Sequence, residues 1–376
     1  MATAVLNTMP HDTNMGAMPP DENPRMELLQ RLRGAQVVIP DLQKMIAHWP
    51  RAQHPELARL DDEVDKALRR IFTLPRDEVR FRKYKSSKIA EFACVWWPYA
   101  NWDALLTATW MSIFLFIWDD EIDAKEFSTI AADYHAAESF RATTVVYMKA
   151  SLSGATSEEL SRISTDPIIA SFEQVGKAVL QAYEEHVQGF LDELLFFIRM
   201  CEEEQKIFDR PTLPTVEEYM ERRMGSSAVR VFFAITEYAC GISLPKKTMN
   251  DETMQRIWHE ANIIISITND VLSMKKEIAH SQVVDSVIPL LMVTLESAQA
   301  AIERAEVIVE SSVQALDRAA EELLAREFSS PGVHEDMRKF IDGIKYACTA
   351  NLNWSLTSGR YELNCASMEG GMPLTL

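Results

Sequence analysis

The chain has 376 residues, 47% hydrophobic and 25% charged, with 38 basic against 56 acidic side chains and a formal charge of −18. One large domain or two ordinary ones with a sizeable core fit these numbers. The acidic balance argues against nucleic acid and anionic membrane as partners, because both select for basic surfaces. An anionic small ligand would have to be held by local cations or metal.

Cys94, Cys201, Cys240, Cys348 and Cys365 are scattered, odd in number and without CxxC spacing. Free thiols in a reducing compartment are expected. No secretory apolar region opens the chain, and no apolar run reaches the ~18 residues of a membrane helix. A cytoplasmic protein with no membrane insertion is therefore expected.

Residues 1–25 carry Met, Pro, Asn, Asp and Thr with little periodicity and read as a disordered tail. From Met26 the pattern is helical, with prolines as punctuation. Asp166-Pro167 and Ser330-Pro331 read as an N-cap followed by a first-turn proline. Apolar residues recur at three-four spacing, as in Ile169, Phe172, Val175, Val179 and Tyr183, and in Met337, Phe340, Ile341 and Ile344. No alternating strand pattern, GxGxxG or Walker-type loop, or repeat is found. The expectation is an all-α protein of about ten or more helices. It has one domain over residues 26–363 and a loose C-terminal tail over 364–376.

The stretch from Phe114 to Asp123 ends an apolar helical run with four acids in five residues. Asp119 and Asp123, four apart, share one helix face at a separation of ~6 Å. Asp120 lies ~100° round and suits a basic partner better than the same metal. Mg²⁺ prefers carboxylate oxygens and is usually shared with substrate phosphates. A second apolar helix turns polar between Asn262 and Glu277. There Asn269, Ser273 and Glu277 stack on one face over ~12 Å, each with an oxygen suited to a hard cation.

The Asp119–Asp123 sequence DDEID, and Asn269–Glu277 read as NDxxSxxKE, resemble the two metal motifs of class I terpene synthases. They stand about 150 residues apart, as in that family. Arg360-Tyr361 resembles its RY pair, and Arg223, 46 residues before Asn269, stands where it places a diphosphate-sensing arginine. Trp97-Pro-Tyr-Ala100 with Trp110 and Phe116 resembles its aromatic segment. The likeness is closest to microbial, particularly fungal, sesquiterpene enzymes. It implies a single-domain helical bundle with a central active-site cavity.

The resemblance implies an Mg²⁺-dependent ionisation of a prenyl diphosphate, farnesyl diphosphate favoured, followed by cyclisation to a hydrocarbon or alcohol by a monomer or homodimer. Three Mg²⁺ are implied, with Asp119 and Asp123 on one side and Asn269, Ser273 and Glu277 on the other. Arg223, Lys276, Arg360 and Tyr361 are the implied diphosphate contacts, with Arg222 an alternative to Arg223. Gly225 followed by Ser226 and Ser227 suggests a helix break aimed at the substrate, since Gly inside a helix costs about 1 kcal/mol. Trp97, Phe116 and Trp354, with Phe92 and Phe232 or Phe233, are candidate cavity walls facing a cation. A chain-elongating isoprenyl diphosphate synthase would carry two aspartate-rich motifs, which the Asn269 motif disfavours. A non-catalytic helical scaffold remains the other alternative. A di-metal oxidase would need two Glu-x-x-His motifs, and no such pair is present.

Overall fold

Helices start where the sequence supplies caps. Ser330 accepts the Val333 N–H ahead of Pro331, and Asp166 accepts from Ile168 and Ile169 ahead of Pro167, as the two X-Pro pairs predict. Thr215 and Glu218 satisfy each other's backbone N–H at 2.8 and 3.1 Å in a reciprocal capping box. The structure, a computed structural model, describes residues 23–123, 128, 130–208, 210–281, 284–327 and 330–376. The expected disordered tail falls outside these up to residue 22, and helix already begins at Pro24.

The helices that position the site are α1 (Glu78–Ser86), α2 (Ile89–Trp96), α3 (Trp102–Asp123), α4 (Val187–Phe208), α5 (Val216–Ser226), α6 (Val229–Cys240), α7 (Glu252–Lys276), α8 (Ala298–Leu324) and α9 (Pro331–Thr357). α3 is buried almost all round, with Leu105, Met111, Phe114, Ile117 and Trp118 at 2% exposure or less. A helix apolar on every side belongs at the centre of a bundle. α2, α6 and the Phe172–Tyr183 helix pack around α3, while α7 packs on α8 and α9. Their apolar faces merge into one core. α7 passes at its end into a π-helical turn over Glu277–Ser281, a distortion that recurs at functional sites. Among the described residues no helix is long and apolar enough to cross a membrane.

The expected helix break is present but is displaced from Gly225. Gly225 is helical, and the break falls at Ala228, whose φ of 58° is left-handed. Gly225 serves another purpose: a Cβ there would stand 2.4 Å from Met200 Cγ, so its absence lets α5 lie close on α4.

The expected loose C-terminal tail is a correction. Met372–Thr375 forms strand β2, antiparallel to β1 at Gln36–Ile39, with Gln36 opposite Thr375. Met368, ahead of β2, is fully buried. Gly371, at φ 86°, lets the backbone approach Ile39, since a Cβ would meet Val38 Cγ1 at 2.9 Å. Four-residue strands are too short to show alternation, so the sequence pattern gave no sign of them.

Candidate active site

The acidic end of α3 and the polar end of α7 converge on the mouth of one cavity of about 110 Å³. Asp119, Arg223, Asn269, Arg360 and Tyr361 line it on the charged side. Phe92, Trp96, Phe116, Phe232, Ile265 and Trp354 line its interior. A larger open groove, about 830 Å³, runs beside β1 and β2. It includes none of the predicted site residues.

At the mouth, neighbouring acids have different fates. Asp119 is half-buried. Burial, then the charge of Asp120, pushes its carboxyl up to about 7, against the pull of Arg360. Asp123 closes the last turn of α3 and is also raised, with desolvation and then Asp119 and Glu204 as causes. Its outer side is open to solvent, so the crowding of like charge is the cause that the geometry bears out. Asp120 turns away, as its 100° offset predicts. It accepts the Tyr84 hydroxyl at 2.7 Å and Arg360 Nη2 at 3.2 Å, and pairs with Lys83 Nζ at 3.0 Å. Burial alone would raise it, but Arg360, Lys83 and Lys276 hold it well below the usual carboxylate range. Glu121 pairs with Arg80 at 2.6 Å and accepts from Ser128.

On the facing wall, Asn269 Nδ2 donates to the Tyr361 hydroxyl at 2.7 Å, and its Oδ1 accepts from Arg223 at 3.0 Å. The 46-residue spacing and the RY pair thus meet on one amide. Asp270 is a buried hub that accepts from Tyr219 at 2.5 Å, Arg223 at 3.3 Å and the Val287 backbone at 3.2 Å. Arg222 stands apart, 3.8 Å from Glu204, so Arg223 is the arginine that reaches the motif. Lys276 lies 6.0 Å over the Tyr361 ring. Burial, then Arg360, lowers its pKa to about 8.

Ser273 donates to Glu277 Oε1 at 2.7 Å, while Glu277 Oε2 is buried without a partner. Among the described residues no three His, Cys, Asp or Glu side chains stand as a ready metal cage. Of the five oxygen side chains that the sequence offers as donors, Asp119 and Asn269 line the cavity, while Asp123, Ser273 and Glu277 follow them along the ends of α3 and α7. All are oxygens, one buried carboxylate oxygen is orphaned, and the crowded acids Asp119, Asp123 and Glu277 have raised pKa values. That is the chemistry a hard divalent cation relieves.

Ser226 and Ser227 also line the cavity. Asn262 fastens the break: its Nδ2 donates to the Met224 carbonyl at 2.8 Å, and its Oδ1 accepts from Ser227 and Ser266. Phe116 and Trp354 are stacked at 5.7 Å with planes 7° apart, and Phe92 meets Trp354 edge-on at 5.0 Å. Arg360 lies 5.2 Å over Phe116. Trp97 does not line the cavity. α2 ends at Trp96, so Trp97 leaves the helical face and packs behind Phe232 at 5.9 Å, and Trp96 takes the lining position. Sequence reasoning also missed Arg80, Lys83, Tyr84, Asp270, Asn262 and Asn351. The basic run Arg80, Arg82, Lys83, Lys85 in so acidic a chain was a usable signal for α1.

Residues 110–315 match the model of terpene synthase family 2, C-terminal metal binding. Sesquiterpene cyclase hepA of Aspergillus oryzae is 30% identical over 94% of this chain and 97% of its own length. The chain belongs to the terpene synthase family. This terpene synthase is also similar to terpene cyclase braA of Annulohypoxylon truncatum, at 25% identity over 96% of the chain and 95% of that protein. In fold it resembles a linalool/nerolidol synthase from Streptomyces clavuligerus solved with 2-fluorogeranyl diphosphate. That likeness has a TM-score of 0.67 at 15% identity, covering 83% of this chain and 98% of that one. Hedycaryol synthase in complex with nerolidol gives 0.64 at 18% identity, over 81% and 96%. Membership brings divalent-metal binding with it, in agreement with the oxygen donors on the two walls.

Proposed function

We propose that this enzyme is an Mg²⁺-dependent sesquiterpene synthase that ionises farnesyl diphosphate and cyclises the resulting cation, working in the cytoplasm as a monomer or homodimer. One observation carries the reading: two oxygen-rich motif ends and three cation or hydroxyl donors meet at the mouth of a cavity walled by aromatics. The 30%-identical sesquiterpene cyclase, matched over almost its whole length, supports the fifteen-carbon substrate. Five free cysteines support a reducing compartment.

Asp119 and Asp123 would hold one side of the metal site, and Asn269, Ser273 and Glu277 the other. Mg²⁺ bound there, three ions by the family resemblance, would supply Lewis-acid neutralisation of the diphosphate charge and so make it a better leaving group. Arg223 and Arg360 grip diphosphate oxygens through guanidinium forks, Lys276 adds a point charge, and the Tyr361 hydroxyl donates a hydrogen bond. Diphosphate arriving beside Lys276 favours its charged form, offsetting the burial that lowers its pKa. Phe116, Trp354 and Phe92 present ring faces and edges to the chain, each face contributing about 0.5–2 kcal/mol to a cation above it. The cavity is below the ~300 Å³ of a typical preformed ligand pocket, so its lining must part to admit the chain.

Incubation with geranyl, farnesyl and geranylgeranyl diphosphates and Mg²⁺, followed by gas chromatography of the volatiles, tests the reading. A sesquiterpene from the fifteen-carbon substrate is expected. A lengthened diphosphate would mark a chain-elongating enzyme instead, and no turnover would mark a scaffold.

A further inference from the structure

Away from its charged mouth, the cavity is lined by a few side chains with a buried polar atom that has no hydrogen-bond partner among the described residues. Asn351 is 5% exposed, lines the cavity, and has its Nδ2 buried with no hydrogen-bond partner. It lies one turn before Trp354 on the same face of α9. Six residues, or about 9 Å of helix, separate it from Thr357, beyond which the chain reaches Arg360 and Tyr361. Asn351 therefore lies in the deep half of the cavity, set back along α9 from Arg360 and Tyr361; Phe92, Trp96, Phe232, Ile265 and Ser226 also line the cavity. Ser227 of the helix break and Ser266 of α7 differ from it, since both are tied to Asn262, whereas the Ser226 hydroxyl is likewise buried without a partner and lines the same cavity. Trp96 is alike, with a buried and unpartnered indole N–H.

A prenyl chain offers no acceptor to these N–H groups. Native proteins rarely leave a buried donor unpaired, and the small molecule that satisfies one inside a cavity is water. A water needs roughly 10–15 Å³ of such space and two or more polar partners, and the cavity offers about 110 Å³.

We propose that Asn351 is a specificity-determining residue that holds a water in the deep half of the cavity, so that the cation cascade ends in an alcohol. The inference rests on the sesquiterpene reading above and extends it to the product class. The water oxygen accepts the Asn351 N–H and keeps a lone pair free. That lone pair forms the C–O bond to the terminal carbocation, and the oxonium then loses one proton, which solvent carries to the released diphosphate. Farnesyl diphosphate and water give a sesquiterpene alcohol and diphosphate, with nothing oxidised or reduced. Because Asn351 stands away from the leaving group, it governs how the cascade ends rather than how it starts.

The test is product analysis in water labelled with oxygen-18, with diphosphate release measured in parallel. The wild-type enzyme is expected to yield chiefly an alcohol carrying the label. Asn351→Leu keeps the side-chain size and removes the amide. It is expected to lower the alcohol share by about tenfold or more in favour of hydrocarbons, with a smaller fall in diphosphate release. Asn351→Gln, which retains the amide, keeps more alcohol than the leucine variant. A hydrocarbon-only or unlabelled wild-type product overturns the water assignment while diphosphate release keeps the sesquiterpene reading standing, and this arm needs no variant to fold. A wild-type alcohol share in Asn351→Leu overturns the assignment equally. If the wild type releases no diphosphate from farnesyl diphosphate, both fall.

Discussion

Asp120 is the acid of the first motif that faces protein rather than cavity, and replacing it separates its work from that of Asp119. Asp120→Asn keeps an acceptor for the Tyr84 hydroxyl at 2.7 Å but removes the charge opposite Arg360 and Lys83. The side chains of Arg360 and Asp120 are only 12% and 10% exposed, and Arg360 Nη1 already lacks a partner. Breaking a buried pair from one side costs about 3–5 kcal/mol. The retained Tyr84 bond and the partial exposure of Lys83 favour the lower end, about 3 kcal/mol. Unfolding entropy near 2.1 cal/mol/K per residue gives roughly 0.8 kcal/mol/K for 376 residues, so the melting temperature should fall by about 4 °C. Thermal unfolding followed by circular dichroism, without metal or substrate, reads this directly. An unchanged or raised melting temperature would refute the claim that Asp120 is the counter-charge of the resting site.

Asn269→Ala should reduce turnover by about 10²–10³-fold at millimolar Mg²⁺ while the helical circular dichroism stays intact; near-full activity would remove Asn269 from the metal site. Gly225→Ala drives a methyl group into Met200, 2.4 Å from its Cγ. It should destabilise by about 1–3 kcal/mol, seen as a lower urea midpoint at unchanged slope. Asp317 gives a pH prediction away from the site. Burial would raise its pKa, but bonds from Lys345 at 2.6 Å, His48 and Trp49 lower it overall. Its contribution is therefore present above the unfolded value of about 3.9 and is lost as pH falls through the lower folded value. Asp317→Asn should flatten the acid limb of the stability curve and leave its shape above neutral pH unchanged. A wild-type acid limb in the variant would count against that assignment.

The two motifs were legible because their information is local. Residues at four-residue spacing must share a helix face, so Asp119 with Asp123, and Asn269 with Ser273 and Glu277, follow from helix geometry alone. Asp120's separate role followed from the same angle. What stayed hidden depends on where helices end and what lies opposite them. Trp96 and Trp97 are adjacent, and only the end of α2 decides which lines the cavity. Gly225 was rightly marked as unusual, but its cause is the approach of α4, which no pattern within α5 reveals. The Asp270 hub and the Asn262 clamp join segments more than thirty residues apart through single side chains, and neither leaves a periodic trace.

The pairing of β1 with β2 also bears on the order of folding. Gly34 N–H donates to the Leu376 carbonyl at 2.7 Å, and the Leu376 N–H returns to Ala35 at 3.0 Å. Closing so long a loop first would cost about 5 kcal/mol in chain entropy, far more than eight paired residues return. Once the helices between have packed, the two ends are already neighbours and little of that cost remains. β2 is also synthesised after all the helices described above. The small sheet is thus the clasp that shuts last, and β1 waits with an unpaired edge until then. A slow final kinetic phase, removed by deleting Met372–Leu376, would be its signature.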